Sequence, residues 1–154
     1  MPTITTFLSY DDKAEEAVRH YLSVFESGKI TSTSPGPDGK VFALTFELFG
    51  QEFHAMNGGP TFTFGDGTSL FVSCDTQAEI DRYWSKLVEA GGKEVQCGWI
   101  TDAYGVTWQI IPKILGKLLG SSDRAKSGRA VQAMMKMKKL DIAALQRAFD
   151  GVDA

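Results

Sequence analysis

Apolar residues recur along the chain in two rhythms, and the order of those rhythms repeats. Residues 3–10 (Thr-Ile-Thr-Thr-Phe-Leu-Ser-Tyr) are rich in β-branched and aromatic types and stop at Asp11-Asp12, which reads as a strand followed by a helix cap. From Ala14 to Phe25 the apolar positions Ala14, Ala17, Val18, Tyr21, Leu22 and Phe25 fall three and four apart, and Gly28 closes the segment. That spacing predicts a helix with one buried face. A short strand over 29–33 leads into Pro-Gly-Pro-Asp-Gly at 35–39, a turn because Pro fixes φ and Gly tolerates positive φ. Val41 to Phe49 then alternates, with Phe42, Leu44, Phe46 and Leu48 on one face, and Gly50-Gln51 turns the chain into a further strand through Met56.

The second half follows the same order. Ser69 to Cys74 reads as a strand ending at Asp75. Residues 77–90 place Ile80, Tyr83, Trp84, Leu87 and Val88 at helical spacing before Gly91-Gly92, and short strands follow around 94–101 and 104–111. Asp11 and Asp75 each close a first strand, and Gly50-Gln51-Glu52-Phe53-His54 parallels Gly105-Val106-Thr107-Trp108-Gln109. The repeat therefore sets His54 and Gln109 in equivalent places. After Pro112 the chain turns helical over 114–119, over roughly 123–139, and from the cap Asp141 over 142–149. The expected fold class is α+β: two βαβββ modules, 1–60 and 68–112, and a helical tail, 113–151.

Composition narrows the function. With 154 residues, 43% hydrophobic and 23% charged, the chain fits one domain or two halves sharing a core. A net charge of −3 leaves no basic footprint for nucleic acid, and neither a long apolar run nor a basic amphipathic face points to a membrane. The start Met-Pro-Thr-Ile lacks the features of a signal peptide, so a cytoplasmic protein with reduced Cys74 and Cys97 is expected.

Few side chains offer chemistry. His54 is the candidate acid or base, since the other histidine, His20, sits beside Arg19 on a helix expected to face solvent. Glu47 lies on the preceding strand and could pair with the imidazole or stay solvated. Cys97, in Cys97-Gly98-Trp99, could be a nucleophile, though no base or helix N-terminus stands beside it in sequence, or an inert buried thiol, and it is counted among the ligand-contact candidates. Phe62 and Phe64 lie in the Gly- and Pro-flanked segment 58–67, of the kind that edges pockets, and Trp99 is a further candidate for ligand contact.

Several segments together resemble a known family. They are Ala14-Glu15-Glu16-Ala17 with Tyr21; Asn57-Gly58-Gly59-Pro60; Cys74-Asp75-Thr76-Gln77 with Asp81 and Trp84; Cys97-Gly98-Trp99 followed by Asp102; the Gly105 to Gln109 run; and Asp141-Ile142-Ala143-Ala144-Leu145. The chain resembles the PhnB-like branch of the vicinal oxygen chelate superfamily, which includes glyoxalase I, extradiol dioxygenases and the fosfomycin and bleomycin resistance proteins. The resemblance implies paired βαβββ modules whose curled mixed sheets each cup a cavity, in a homodimer. It also implies where a metal would be held, by His, Glu or Gln on the first and last strands of each module. The first-strand positions fall at or near Ile4 and Thr68, and the last-strand positions at His54 and Gln109. Two neutral ligands make a weak site, so no metal and no cofactor are expected.

Some members of this branch carry the label demethylubiquinone methyltransferase. The usual S-adenosylmethionine site needs a Gly-rich loop between strand and helix of a doubly wound sheet, whereas Gly58-Gly59 is followed by Pro60 and a Phe-rich stretch. The favoured function is therefore a small-molecule binding protein, its aromatic or amphipathic ligand held by His54, Gln109, Glu47, Phe62, Phe64, Cys97 and Trp99. The rival is a divalent-metal lyase, isomerase or dioxygenase that completes its coordination with Glu47, water or substrate. A third reading has the tail recruit a partner.

Overall fold

The computed structural model describes residues 1–152. Its elements run β1 (Thr6–Tyr10), α1 (Ala14–Phe25), β2 (Lys29–Pro35), β3 (Val41–Leu48), β4 (Gln51–Asn57), β5 (Leu70–Cys74), α2 (Gln77–Glu89), β6 (Lys93–Glu94), β7 (Trp99–Thr101), β8 (Thr107–Pro112), α3 (Lys113–Leu119), α4 (Arg124–Met135) and α5 (Ile142–Asp150). Residues 1–64 form one compact unit, and the chain from Gly65 onward forms another. Each holds a four-stranded mixed sheet, in order β1-β4-β3-β2 and β5-β8-β7-β6. In both, the first strand pairs parallel with the last and the other pairings are antiparallel. The fold is α+β with two open sheets.

In the first unit, alternation sends Leu8, Tyr10, Leu44, Phe46, Leu48, Phe53 and Ala55 to one face, all buried, where α1 packs with Ala14, Ala17, Val18, Tyr21, Val24 and Phe25. Phe46 and Phe53 stack with centroids 5.2 Å apart, and the Tyr10 and Tyr21 hydroxyls share a 2.9 Å hydrogen bond. Phe42 has the parity of this face but lies 44% exposed, at the hairpin end of β3. The cap of α1 is not Asp11 or Asp12. Lys13 occupies that position without a side-chain bond, and the Ala14 N–H donates to Asn57 Oδ1 at 2.8 Å. Asn57 Nδ2 donates in turn to the Val41 carbonyl, so the end of β4 satisfies the helix start. Gly28, at φ 86°, is obligatory, because a Cβ there would lie 1.7 Å from the Glu47 carbonyl oxygen.

The second unit caps α2 with Thr76, whose Oγ1 accepts from Glu79 N at 3.2 Å while Glu79 Oε1 accepts from Thr76 N at 3.0 Å. Asp75 instead pairs with Lys113 at 2.8 Å. Asp102, buried, caps its turn by accepting from Tyr104 N and Val106 N, and its other oxygen accepts from Trp108 Nε1 at 2.9 Å. The tail packs on this unit. Ile111, Leu115, Leu118, Ala130, Leu140 and Leu145 form one buried cluster, with Met134, Met137 and Phe149 against it. The middle tail helix ends at Met135 rather than near 139, because Met137 and Lys138 turn their carbonyls to the N–H groups of Cys97 and Gly98, each at 2.8 Å. Gln77 completes the attachment. Its Oε1 accepts from Ile142 N at 2.8 Å, and its Nε2 donates to the Leu140 carbonyl and to Asp81, which also pairs with Lys139 at 2.9 Å.

Gln77→Leu removes these bonds and leaves the Ile142 N–H unsatisfied, at a cost of about 1–3 kcal/mol. Hydrogen exchange should speed up in α5 while the α1 amides keep their protection. Acid should loosen the same clasp. The Gln77 amide, and after it the Lys139 ammonium, hold the Asp81 carboxyl below its usual 3.8. A carboxylate depressed on folding contributes stability that is present above its unfolded value and lost as pH falls through its folded one. The difference in tail exchange between the native chain and Asp81→Asn should therefore shrink on acidification below about pH 4 and stay constant between neutral pH and about pH 5.

Candidate functional site

The face of each sheet opposite its helix carries the polar candidates. Strand alternation puts His54 opposite in sense to buried Phe53, and Gln109 opposite to buried Trp108. Register then builds a row across each sheet. In the first unit His54 stands between Phe7 on β1 and Thr45 on β3. The Phe7 and His54 rings stack at 5.8 Å with 24° between their planes. Thr45 Oγ1 lies 2.7 Å from Thr31 Oγ1 and 2.6 Å from Ser32 Oγ, so a hydroxyl cluster continues the row. In the second unit Gln109 stands between Phe71 on β5 and Trp99 on β7, and its Nε2 donates to Ser69 Oγ at 2.9 Å.

Phe7 and Phe71 are 55% and 59% exposed, which is large for rings on a sheet. Sequence reading missed both as site residues, although each lies four positions before Asp11 or Asp75. Ile4 and Thr68, the first-strand positions expected from the resemblance, lie outside β1 and β5. The first-strand neighbours of His54 and Gln109 are thus rings, not donors. Among the described residues no group of three His, Cys, Asp or Glu side chains is placed to hold a metal ion.

Glu47 shares the open face with His54, but its cross-strand partners are Glu52 and Lys29. Phe62 lies over Gly58, where a Cβ would meet its ring at 2.7 Å and Met56 Cε at 3.1 Å, and so edges the open face two residues beyond His54. Phe64 packs edge-on against Tyr10 at 5.0 Å, on the helix side of β1. Trp99 joins the Gln109 row. Cys97 is half-buried at φ 62°, its backbone holding the tail. Burial, then the Glu79 and Asp75 charges, push the Cys74 thiol up to about 12. His20 is half-buried 6.0 Å from the Tyr21 ring rather than facing solvent. A separate groove of about 1010 Å³ beside the start of α1, lined by Asp12, Glu16, Asp38, Lys40 and Phe42, was not anticipated from the sequence.

Residues 2–111 match the model of the family described as 3-demethylubiquinone-9 3-methyltransferase. A solved structure of a putative 3-demethylubiquinone-9 3-methyltransferase, the PhnB protein of Bacillus cereus, is 36% identical over 72% of this chain and 99% of its own, with a TM-score of 0.66. The chain belongs to this PhnB-like family. Two more distant structures share the fold alone: a glyoxylase/bleomycin resistance protein/dioxygenase domain from Frankia (16% identity, 73% of this chain and 92% of that one, TM-score 0.50), and the fosfomycin resistance protein FosX of Mesorhizobium loti (16%, 70% and 87%, 0.53). No curated protein matches the chain. The PhnB-like match ends at residue 111, so the tail lies beyond the part shared with the family model.

Two variants separate core from face. Phe53→Ala should cost about 3–5 kcal/mol in denaturant unfolding, whereas His54→Ala should cost under about 1 kcal/mol. Thiol alkylation of the native protein near pH 8, followed by mass spectrometry, should leave Cys74 unmodified until the protein unfolds, because its thiolate is scarce and buried.

Proposed function

We propose that this PhnB-like protein binds a small aromatic or amphipathic molecule on the open face of its sheets, without a metal. What carries the reading is the repeated row: an exposed ring on the first strand, a neutral hydrogen-bonding side chain on the last strand, and a third side chain beyond it. Phe7 and Phe71 offer flat apolar area. His54 offers ring nitrogens, and the Gln109 amide offers a donor and an acceptor. This is the mix of apolar wall and sparse polar groups that ligand sites use.

The family's metal does not fit the donors present. On the first strand of each module the neighbour of His54 or Gln109 is a phenylalanine and not a metal donor, so no step is derived through a cation. Methyl transfer of the usual kind is not supported either. Each sheet has one parallel pair rather than a doubly wound arrangement. The amides of Gly58 and Gly59 are taken by the Tyr10 and Asp11 carbonyls, and no helix follows them before β5. The proposal takes the protein as a homodimer, as the resemblance implies, and as cytoplasmic, as expected from its sequence.

The test is a calorimetric screen of planar aromatic carboxylic acids and amines, on protein purified without a histidine tag and analysed for metals. Binding that falls about tenfold or more in His54→Ala or Gln109→Ala, with stability unchanged, is the expected outcome. Stoichiometric, tightly held zinc, iron, nickel or manganese would sink the metal-independent reading in favour of a divalent-metal lyase, isomerase or dioxygenase. A single monomeric species in sedimentation at micromolar concentration would remove the dimer.

A further inference from the structure

Charge is divided unevenly along this chain. Residues 113–154 carry nine Lys and Arg against four Asp, while residues 1–112 carry seven against fifteen Asp and Glu. The excess is not merely spread over solvent. A groove of about 590 Å³ runs along α4 to the C-terminal end of α5, lined by Arg124, Gly128, Arg129, Gln132, Lys136 and Gly151 among others, with no carboxylate in its lining among the described residues. That volume is of the size that takes small ligands.

Arg129 is built into the groove. Its Nε donates to the Ala148 carbonyl at 3.0 Å and its Nη2 to the Phe149 carbonyl at 2.9 Å, so two acceptors at the end of α5 fix the plane of the guanidinium. A guanidinium has five N–H donors, which leaves others for a ligand. Gly151, at φ 77°, makes the room, since a Cβ there would meet Nη2 at 3.3 Å and Cζ at 3.4 Å. Among the described residues neither Arg124 nor Lys136 has an acidic partner. Ala125 and Gly128 keep the wall between them low. Twelve residues, about 18 Å of helical rise, separate Arg124 from Lys136, so the backbone positions of the three cations are strung along the groove.

We propose that this groove binds a small ligand carrying two or more phosphate groups. Arg129 is its fixed centre, Arg124 and Lys136 are the flanking cations, and Gln132 is a polar partner. A compact ligand is favoured over a long polyanion because the chain as a whole carries a net charge of −3. The site lies beyond residue 111, outside the segment matched by the family model, and stands independently of the ligand reading for the sheets.

Inorganic tripolyphosphate, titrated calorimetrically into the full-length protein at low ionic strength, is the probe. Saturable binding is expected, weakened by salt and lowered about tenfold in each of Arg124→Ala and Lys136→Ala, whose exposed side chains can be removed without loss of the fold. Unchanged circular dichroism and melting in those variants keep the comparison valid. Absence of saturable binding overturns the proposal, as does binding that both variants leave intact, which would mark an adventitious ion elsewhere. A single-stranded oligonucleotide that binds more tightly than tripolyphosphate would also overturn it, in favour of a surface for nucleic acid.

Discussion

The parallel pairing of the first and last strand in each module is the constraint on which the structure depends. Parallel neighbours cannot be joined by a hairpin, so the chain must leave the sheet and return. Here it leaves by a helix, and then two antiparallel strands bring it back to the first strand's side. The helix covers one face and buries it. The other face is left to side chains that need not be apolar, and that is where His54, Gln109, Thr45 and the exposed rings of Phe7 and Phe71 stand.

Much of this was legible in the sequence, because periods of two and of three to four residues report directly which positions are buried. The repeat of the Gly50 and Gly105 segments gave the equivalence of His54 and Gln109, and register bears on it directly: each is flanked by a first-strand ring. Caps were read unevenly. Asp141 caps α5 as expected, accepting from Ala144 N, whereas Asp11 and Asp12 do not cap α1, whose first N–H donates to Asn57. For Asn57 the reason is long-range: a β-strand end 43 residues away supplies the acceptor, and no local pattern announces it. Counting seven back from each aspartate led to Ile4 and Thr68, where counting four would have reached the rings.

The family motifs proved to be largely architectural. Asn57 caps α1, Gly58 continues the backbone pairing with β1, Thr76 caps α2, and Gln77 with Asp81 anchors the tail. Cys97-Gly98, flagged for its thiol, turns both residues to positive φ and aims their N–H groups at the tail's carbonyls. Motifs of this kind identify the fold rather than the chemistry, which is why the likeness to relatives fixes the family.

Every group that receives the tail, from Gln77 and Asp81 to Cys97, Gly98 and Ile111, precedes the tail in the chain. A nascent polypeptide would thus finish the second sheet and its helix before the docking segment is made. The tail helices find a landing surface already assembled when they emerge, and the apolar end of that sheet stays uncovered only for as long as synthesis of the tail takes.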